Sequence, residues 1–323
     1  MRMRTILTTL AAVPLLAGAV HAQPAAVDAD LSSYTTVGGV SGNLNSIGSD
    51  TLNNLMTLWG EEFRKLYPNV RIQIEGKGSS TAPPALINGT AQIGPMSREM
   101  KSSEIDEFEQ HHGYKPTAIR VAVDALAVYV HKDNPLSELT LAQVDAIFSK
   151  ARACGAPTAI DAWGGVGHTG SWAQRPISLY GRNSASGTYG YFKEVALCGG
   201  DYRDTVKEQP GSASVVQGVT EDLYGVGYSG IGYRTSGVKP LSLARAEGET
   251  AYGTDPAAVY SGEYPLSRFL YLYINQPPNQ QIDPLVREFL RFVLSRQGQE
   301  TVVKDGYLPV TAELAAEELG HLR

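Results

Sequence analysis

The segment GRNSASGT, residues 181–188, sets one guanidinium (Arg182), three hydroxyls (Ser184, Ser186 and Thr188) and two glycines directly after the apolar run PISLY. A small oxyanion withdrawn from water needs many hydrogen-bond donors packed around it, because an unpaired buried charge is very costly. Hydroxyls and backbone N–H groups fit around so small an object, and one guanidinium adds a bidentate, charge-assisted contact. Arg182, Ser184, Ser186, Gly187 and Thr188 fit that division of labour.

Two other loops share the design. NLNSIGSD at 43–50 leads into TLNNLMTLWGEEFRKLYP, where Leu52, Leu55, Met56, Trp59, Phe63 and Leu66 recur at helical spacing until Pro68. VRIQIEGKGSS at 70–80 alternates like a strand, stops at glycines and passes into TAPPALING, whose prolines suit a first helical turn and whose helix Ser80 is expected to cap. Each loop sits where a strand becomes a helix, and a helix start offers unpaired N–H groups and partial positive charge to an anion. Three such ends in one crevice make an anion cage without a broad basic surface, with Arg182 as its sole guanidinium.

Competing chemistries fail on their own patterns. A nucleotide-phosphate loop needs lysine after its second glycine, and Thr188 follows Gly187 here. Gly225, Gly227 and Gly230 satisfy GxGxxG, but the residues after them are broken by glycine and proline, so they read as turn glycines beside a buried strand. Ser236 to Lys239 matches a bare SxxK without the companion SDN or KTG, and GYSGI around Ser229 lacks the closing glycine of a nucleophile elbow. His21, His111, His112, His131, His168 and His321 show no zinc-site spacing, so neither metal nor cofactor is expected. A secreted serine hydrolase stays open as an alternative, because triad members can lie far apart in sequence.

The segment MRMRTILTTLAAVPLLAGAVHAQ has a basic start, an apolar stretch and a small-residue cleavage frame, which predicts a signal peptide over residues 1–22. Its apolar part is too short for a spanning helix, and no lipidation cysteine follows, so an exported, freely soluble periplasmic protein is expected. Removing Arg2 and Arg4 with that segment takes the formal charge from −6 to −8, which argues against a nucleic-acid partner. Cys154 and Cys198 are expected to pair as a disulfide in an oxidising compartment. Residues 23–43 read as a flexible N-terminal arm.

Strands and helices alternate, which predicts an α/β protein, and its length favours two domains. The long apolar runs at 119–130 and 264–274 are the natural crossings, giving a discontinuous first domain at 44–122 plus 264–323 and a second at 123–263.

IGSDTLNNLMTLWGEEF, GKGSSTAPPALINGTAQIGPMSREM, GRNSASGT, GIGY and DGYLPV, in that order, resemble the phosphate-binding proteins of Pst-type ABC importers. The resemblance implies a two-domain type II periplasmic-binding-protein fold with a hinge and an inter-domain ligand cleft. It implies a monomer without catalysis that takes inorganic phosphate and passes it to a membrane permease. Another oxyanion such as sulfate is the alternative ligand. It places ligand contacts at Ser49, Asp50 and Thr51, at Ser79, at Ser97, and at Arg182, Ser186, Gly187 and Thr188. The chain departs from the family pattern in three places: Ser97 stands where an acid is usual, Asp50 where a neutral hydroxyl is usual, and Ser184 where an acid often supports the arginine. Asp50 is expected to take over the missing acid's role, to cap the following helix, or to hold Arg182.

Overall fold

The computed structural model describes residues 25–322, so the expected signal peptide lies outside the described residues. Strand β1 (Gly42–Ile47) runs into helix α1 (Asn53–Leu66), and β2 (Val70–Glu75) into the short α2 (Ala82–Ile87). Then come β3 (Ile93–Met96), α3 (Ser102–His112), the long β4 (Thr117–His131), β5 (Glu138–Thr140) and α4 (Leu141–Phe148). Next are β6 (Ser178–Arg182), α5 (Gly187–Ala196), β7 (Lys207–Gln209), α6 (Ser212–Glu221), β8 (Gly225–Gly230), β9 (Val238–Pro240), β10 (Ser242–Ala244) and α7 (Pro256–Tyr260). The chain closes with β11 (Ser267–Ile274), α8 (Pro284–Val293), α9 (Arg296–Lys304) and α10 (Ala312–Gly320).

A nine-stranded sheet has the order β2-β1-β3-β11-β4-β8-β6-β7, with β9 on the far end of β4. The outer pairs β1/β2, β1/β3, β6/β7 and β6/β8 are parallel, whereas β11 and β4 run antiparallel to their neighbours at the centre. Parallel outer strands bring the ends of β1, β2, β3 and β6 to the middle, where the ligand crevice of an open α/β sheet lies.

Two apolar cores flank that middle. One holds Leu44, Leu55, Trp59, Phe63, Ile119, Val121, Ala122, Leu270 and Leu272 with the helices after β11. The other holds Val123, Ala125, Leu126, Phe148, Trp163, Phe192, Tyr228 and Leu266. Core membership changes between Ala122 and Val123 on β4, and between Leu266, just before β11, and Leu270 on it.

The helical spacing read from residues 52–66 produces α1, with Leu52, Leu55, Met56, Trp59 and Phe63 buried, but Leu66 is 41% exposed because it falls at the last, outward-facing position. The GxGxxG glycines are not turn residues: Gly225, Gly227 and Gly230 lie inside β8, buried along its whole length. A side chain at Gly227 would strike Val215 and Val219, so the absent side chains let α6 pack directly on the strand. The expected loose arm is also corrected. Leu31 and Val40 enter the first core, the Asp28 carboxylate accepts from the Ala312 N–H at 2.9 Å, and the Tyr34 hydroxyl bonds Tyr67 and Glu288. Cys154 and Cys198 are joined, tying the loop after α4 to the end of α5. Among the described residues no helix is long and apolar enough to cross a membrane.

Candidate functional site

The three loops singled out in the sequence converge on one spot. Ser49, Thr51, Ser79, Ser97, Arg182, Ser186 and Thr188 are all buried, and Gly187 lies among them. Thr51 Oγ1 and Thr188 Oγ1 are 2.9 Å apart, Ser97 Oγ is 3.4 Å from Thr188 Oγ1, and Ser79 Oγ is 3.3 Å from Ser97 Oγ. Ser49 holds its loop in place by donating its N–H to Pro95 O at 2.8 Å. Ser184 is exposed and takes no part, because it sits on the outer turn before α5.

Local structure explains why glycines interrupt these loops. A Cβ at Gly187 would lie 2.3 Å from Ser79 Oγ and 2.7 Å from Ser97 Oγ, so only glycine lets the start of α5 meet the β2 and β3 loops. Gly78 has φ +120°, and a Cβ there would lie 2.4 Å from Ala185 O. Ser80 does not cap α2, which starts without a side-chain cap; its N–H crosses instead to Ala185 O at 3.1 Å. Ser186 does cap α5, its Oγ accepting from Thr188 N at 3.1 Å and Tyr189 N at 3.4 Å.

Arg182, 1% exposed, ends β6 inside this cluster. Its Nη1 donates to Ser212 Oγ at 2.7 Å and its Nη2 to Pro210 O at 3.3 Å, while the buried Nε finds no partner among the described residues. Burial pulls the guanidinium below its usual value, and the nearby Asp50 opposes that shift. An arginine nonetheless keeps its charge at neutral pH. Asp50 does not cap α1, whose cap position is Leu52. Its Oδ2 reaches across instead, accepting from the Ser212 N–H at 2.8 Å and lying 3.3 Å from Arg182 Nη1. The carboxylate thus sits at the start of α6, where a helix favours negative charge, and partly offsets Arg182.

A second guanidinium overturns the expectation that Arg182 stands alone. Arg268 on β11 donates from Nε and Nη2 to Asp124 Oδ2 on β4, at 2.9 and 2.7 Å. Its Nη1 also reaches Ser97 O at 2.8 Å, and its Nη2 Thr188 Oγ1 at 3.0 Å. Ser212, buried at the start of α6 beside Gly211, is a further participant. Both signals were present in the sequence. Asp124 and Arg268 are charges flanked by apolar residues within their strands, and a buried charge demands a partner. The run PGSAS at 210–214, which opens α6, is a fourth glycine-serine helix start.

The hydroxyls carry a direction. Ser79 Oγ accepts the Ser97 N–H at 3.0 Å, Ser186 Oγ accepts two backbone N–H groups, Ser212 Oγ accepts Arg182 and Thr188 Oγ1 accepts Arg268. With at least one donor already on each of them, these hydroxyls are turned to offer a hydrogen. The cluster is therefore rich in donors around an incompletely paired, buried positive charge, which suits an oxyanion.

A model of the PBP superfamily domain matches residues 33–297. The chain is 56% identical over 322 residues to the phosphate-binding protein PstS of Pseudomonas aeruginosa, covering 100% of this chain and 99% of that protein. A structure from Clostridium perfringens, described as a phosphate ABC transporter substrate-binding protein with bound phosphate, matches with TM-score 0.69 at 24% identity, over 83% of this chain and 100% of that chain. An ABC-type phosphate transport receptor from Vibrio cholerae matches with TM-score 0.62 at 23% identity, over 83% and 100%. At those identities the two solved structures speak for the fold.

Proposed function

We infer that this chain, which belongs to the PBP superfamily and within it to the PstS phosphate-binding proteins, captures inorganic phosphate and delivers it to the membrane permease of an ABC importer. The observation that carries this reading is the buried Arg182 guanidinium, with an unpartnered Nε, inside a ring of hydroxyls oriented to donate. A tetrahedral oxyanion supplies the acceptors that those groups lack.

Phosphate is held by Arg182, the hydroxyls of Ser79, Ser186 and Thr188, the backbone N–H groups of Asp50 and Thr51 in the turn before α1, and that of Gly187 at the start of α5. Ser97 orients Ser79 through its N–H. Asp50 Oδ2 is occupied by Ser212 and Arg182, which leaves Oδ1 to accept the proton that phosphate carries near neutrality and sulfate does not. The chain works as a monomer of two lobes, 44–122 plus 264–323 and 123–263, that close over the ligand. The change of core membership between Ala122 and Val123 on β4 supports the first crossing, while Tyr264 and Leu266 pack in the second core and move the later crossing to between Leu266 and Leu270. The protein acts after export to the periplasm and cleavage of residues 1–22, performs no catalysis and binds no nucleic acid.

Calorimetric titration of phosphate-stripped protein with phosphate and with sulfate tests the reading. One phosphate site and much weaker sulfate binding are expected, and sulfate binding as tight as phosphate would remove the role given to Asp50.

A further inference from the structure

Arg268 lies at the crossing of three parts of the molecule. On β11 it is the register partner of Asp124 on β4, at the point where the two cores meet. Both residues are buried, and the Asp124 carboxylate is held on its other side by the Ile231 N–H at 2.9 Å. Anchored in this way, the guanidinium sends one arm to the Ser97 carbonyl, beyond β3, and one to the Thr188 hydroxyl on α5.

A guanidinium can only donate. Thr188 Oγ1 must therefore accept from Arg268, which fills one of its lone pairs, and the Thr51 hydroxyl 2.9 Å away is placed to donate into the second. When Thr51 donates, both lone pairs are engaged and Thr188 offers its surroundings a hydrogen and nothing else. An oxygen of phosphate that still carries its proton needs an acceptor and finds none at this corner, whereas an unprotonated oxygen is welcomed. We propose that Arg268, positioned by Asp124, fixes the polarity of the Thr188 hydroxyl and thereby makes the site select the more deprotonated form of phosphate. This rests on the phosphate reading of the site above, and it assigns Arg268 a positioning role, since it acts through Thr188.

The charged and titratable groups facing Arg268 and Thr188 are Asp124 on β4, Tyr191 on α5 with its ring 5.3 Å from the Arg268 guanidinium, Tyr307 after α9, and Arg182 and Asp50 across the cluster. Burial raises the two tyrosines, Tyr191 to about 12, so neither titrates near neutrality. Asp305, beside Tyr307, is pushed by burial to about 6 and is the group whose own titration must be separated from that of the ligand.

The test is phosphate affinity of the mature protein by calorimetry between about pH 5.5 and about pH 8.5, a span over which phosphate passes from one negative charge toward two. The variant is R268M/D124N, which removes the donor without leaving a buried carboxylate unpaired, with melting curves recorded alongside. R268Q, whose amide still bonds Asp124, gives the same comparison if the double variant does not fold. The expected result is a ratio of alkaline to acid affinity at least ~3-fold smaller than in wild type, because a freed Thr188 can accept from a protonated ligand oxygen. The same change should vanish when T188V is added, since no hydroxyl remains to turn, while any contribution from Asp305 would persist. Affinity profiles that run parallel in wild type and variant overturn the proposal, as does a changed ratio that survives T188V. Wild-type protein that binds no phosphate at any pH overturns the reading of the site itself, and the inference with it.

Discussion

Replacing Gly187 by alanine separates binding from folding, because the two respond in opposite directions. The added methyl would sit 2.3 Å from Ser79 Oγ, 2.7 Å from Ser97 Oγ and 2.8 Å from Ser79 Cβ. Ser79 is pinned by the Ser97 N–H, so it cannot swing aside, and the start of α5 must withdraw by about 1 Å to restore van der Waals contact. That withdrawal pulls the α5 first-turn N–H groups and the Thr188 hydroxyl away from a ligand held by the opposite loops. Losing two charge-assisted hydrogen bonds at about 1.5–3 kcal/mol each weakens phosphate affinity roughly 100- to 10,000-fold. On the proposed two-lobe reading the ligand-free protein relieves the clash by opening, and alanine favours helix over glycine by up to about 1 kcal/mol. Gly187→Ala should thus melt no lower than wild type without phosphate, and lose most of the phosphate-induced rise in melting temperature. Calorimetry and thermal melts with and without ligand read both effects. A dissociation constant within about threefold of wild type would refute the close-approach argument, since so small a change is under ~1 kcal/mol.

Three other perturbations address separate parts of the account. Asp50→Asn should narrow the preference for phosphate over sulfate by about tenfold or more, measured by paired titrations, because the repulsion of an unprotonated anion is gone. Asp305 is pushed by burial to about 6, so its charged form is disfavoured in the folded state and its cost to stability appears as pH rises from about 4 to about 6. Asp305→Asn, which keeps an acceptor for Asn54, should therefore stabilise the protein by about 2–3 kcal/mol at pH above ~7 and leave it unchanged near pH ~3.5, as melting curves at the two pH values would show. Reducing Cys154–Cys198 frees a loop with a sequence separation of 44 and should cost up to about 4 kcal/mol in chemical denaturation, with phosphate affinity little changed because neither cysteine touches the cluster.

The strands and helices around the site were legible because each loop repeats one local pattern, a strand end, a glycine-serine stretch and a helix start. The pairing of Cys154 with Cys198 was legible from compartment and number. What pattern could not supply was the geometry between distant segments. Asp50 was open to three roles, ligand acceptor, cap of its own helix or partner of Arg182; it does not cap, it lies beside Arg182, and it also reaches Ser212, 162 positions away, a contact no local pattern shows. Arg268 lay in a strand read only for its apolar residues, and its role depends on the register that sets it opposite Asp124. Residues 25–41 looked loose because they are small and polar, but a few anchors, Leu31, Val40 and the Asp28 and Tyr34 hydrogen bonds, hold them against the first core.

The most direct measurement of the central claim compares phosphate titrations of stripped wild-type protein and Arg182→Met, with folding verified by thermal melts. Removing the buried guanidinium whose Nε lacks a protein partner should weaken phosphate binding by at least ~100-fold while the protein remains folded. Wild-type affinity in a folded Arg182→Met protein would contradict the placement of the ligand against Arg182.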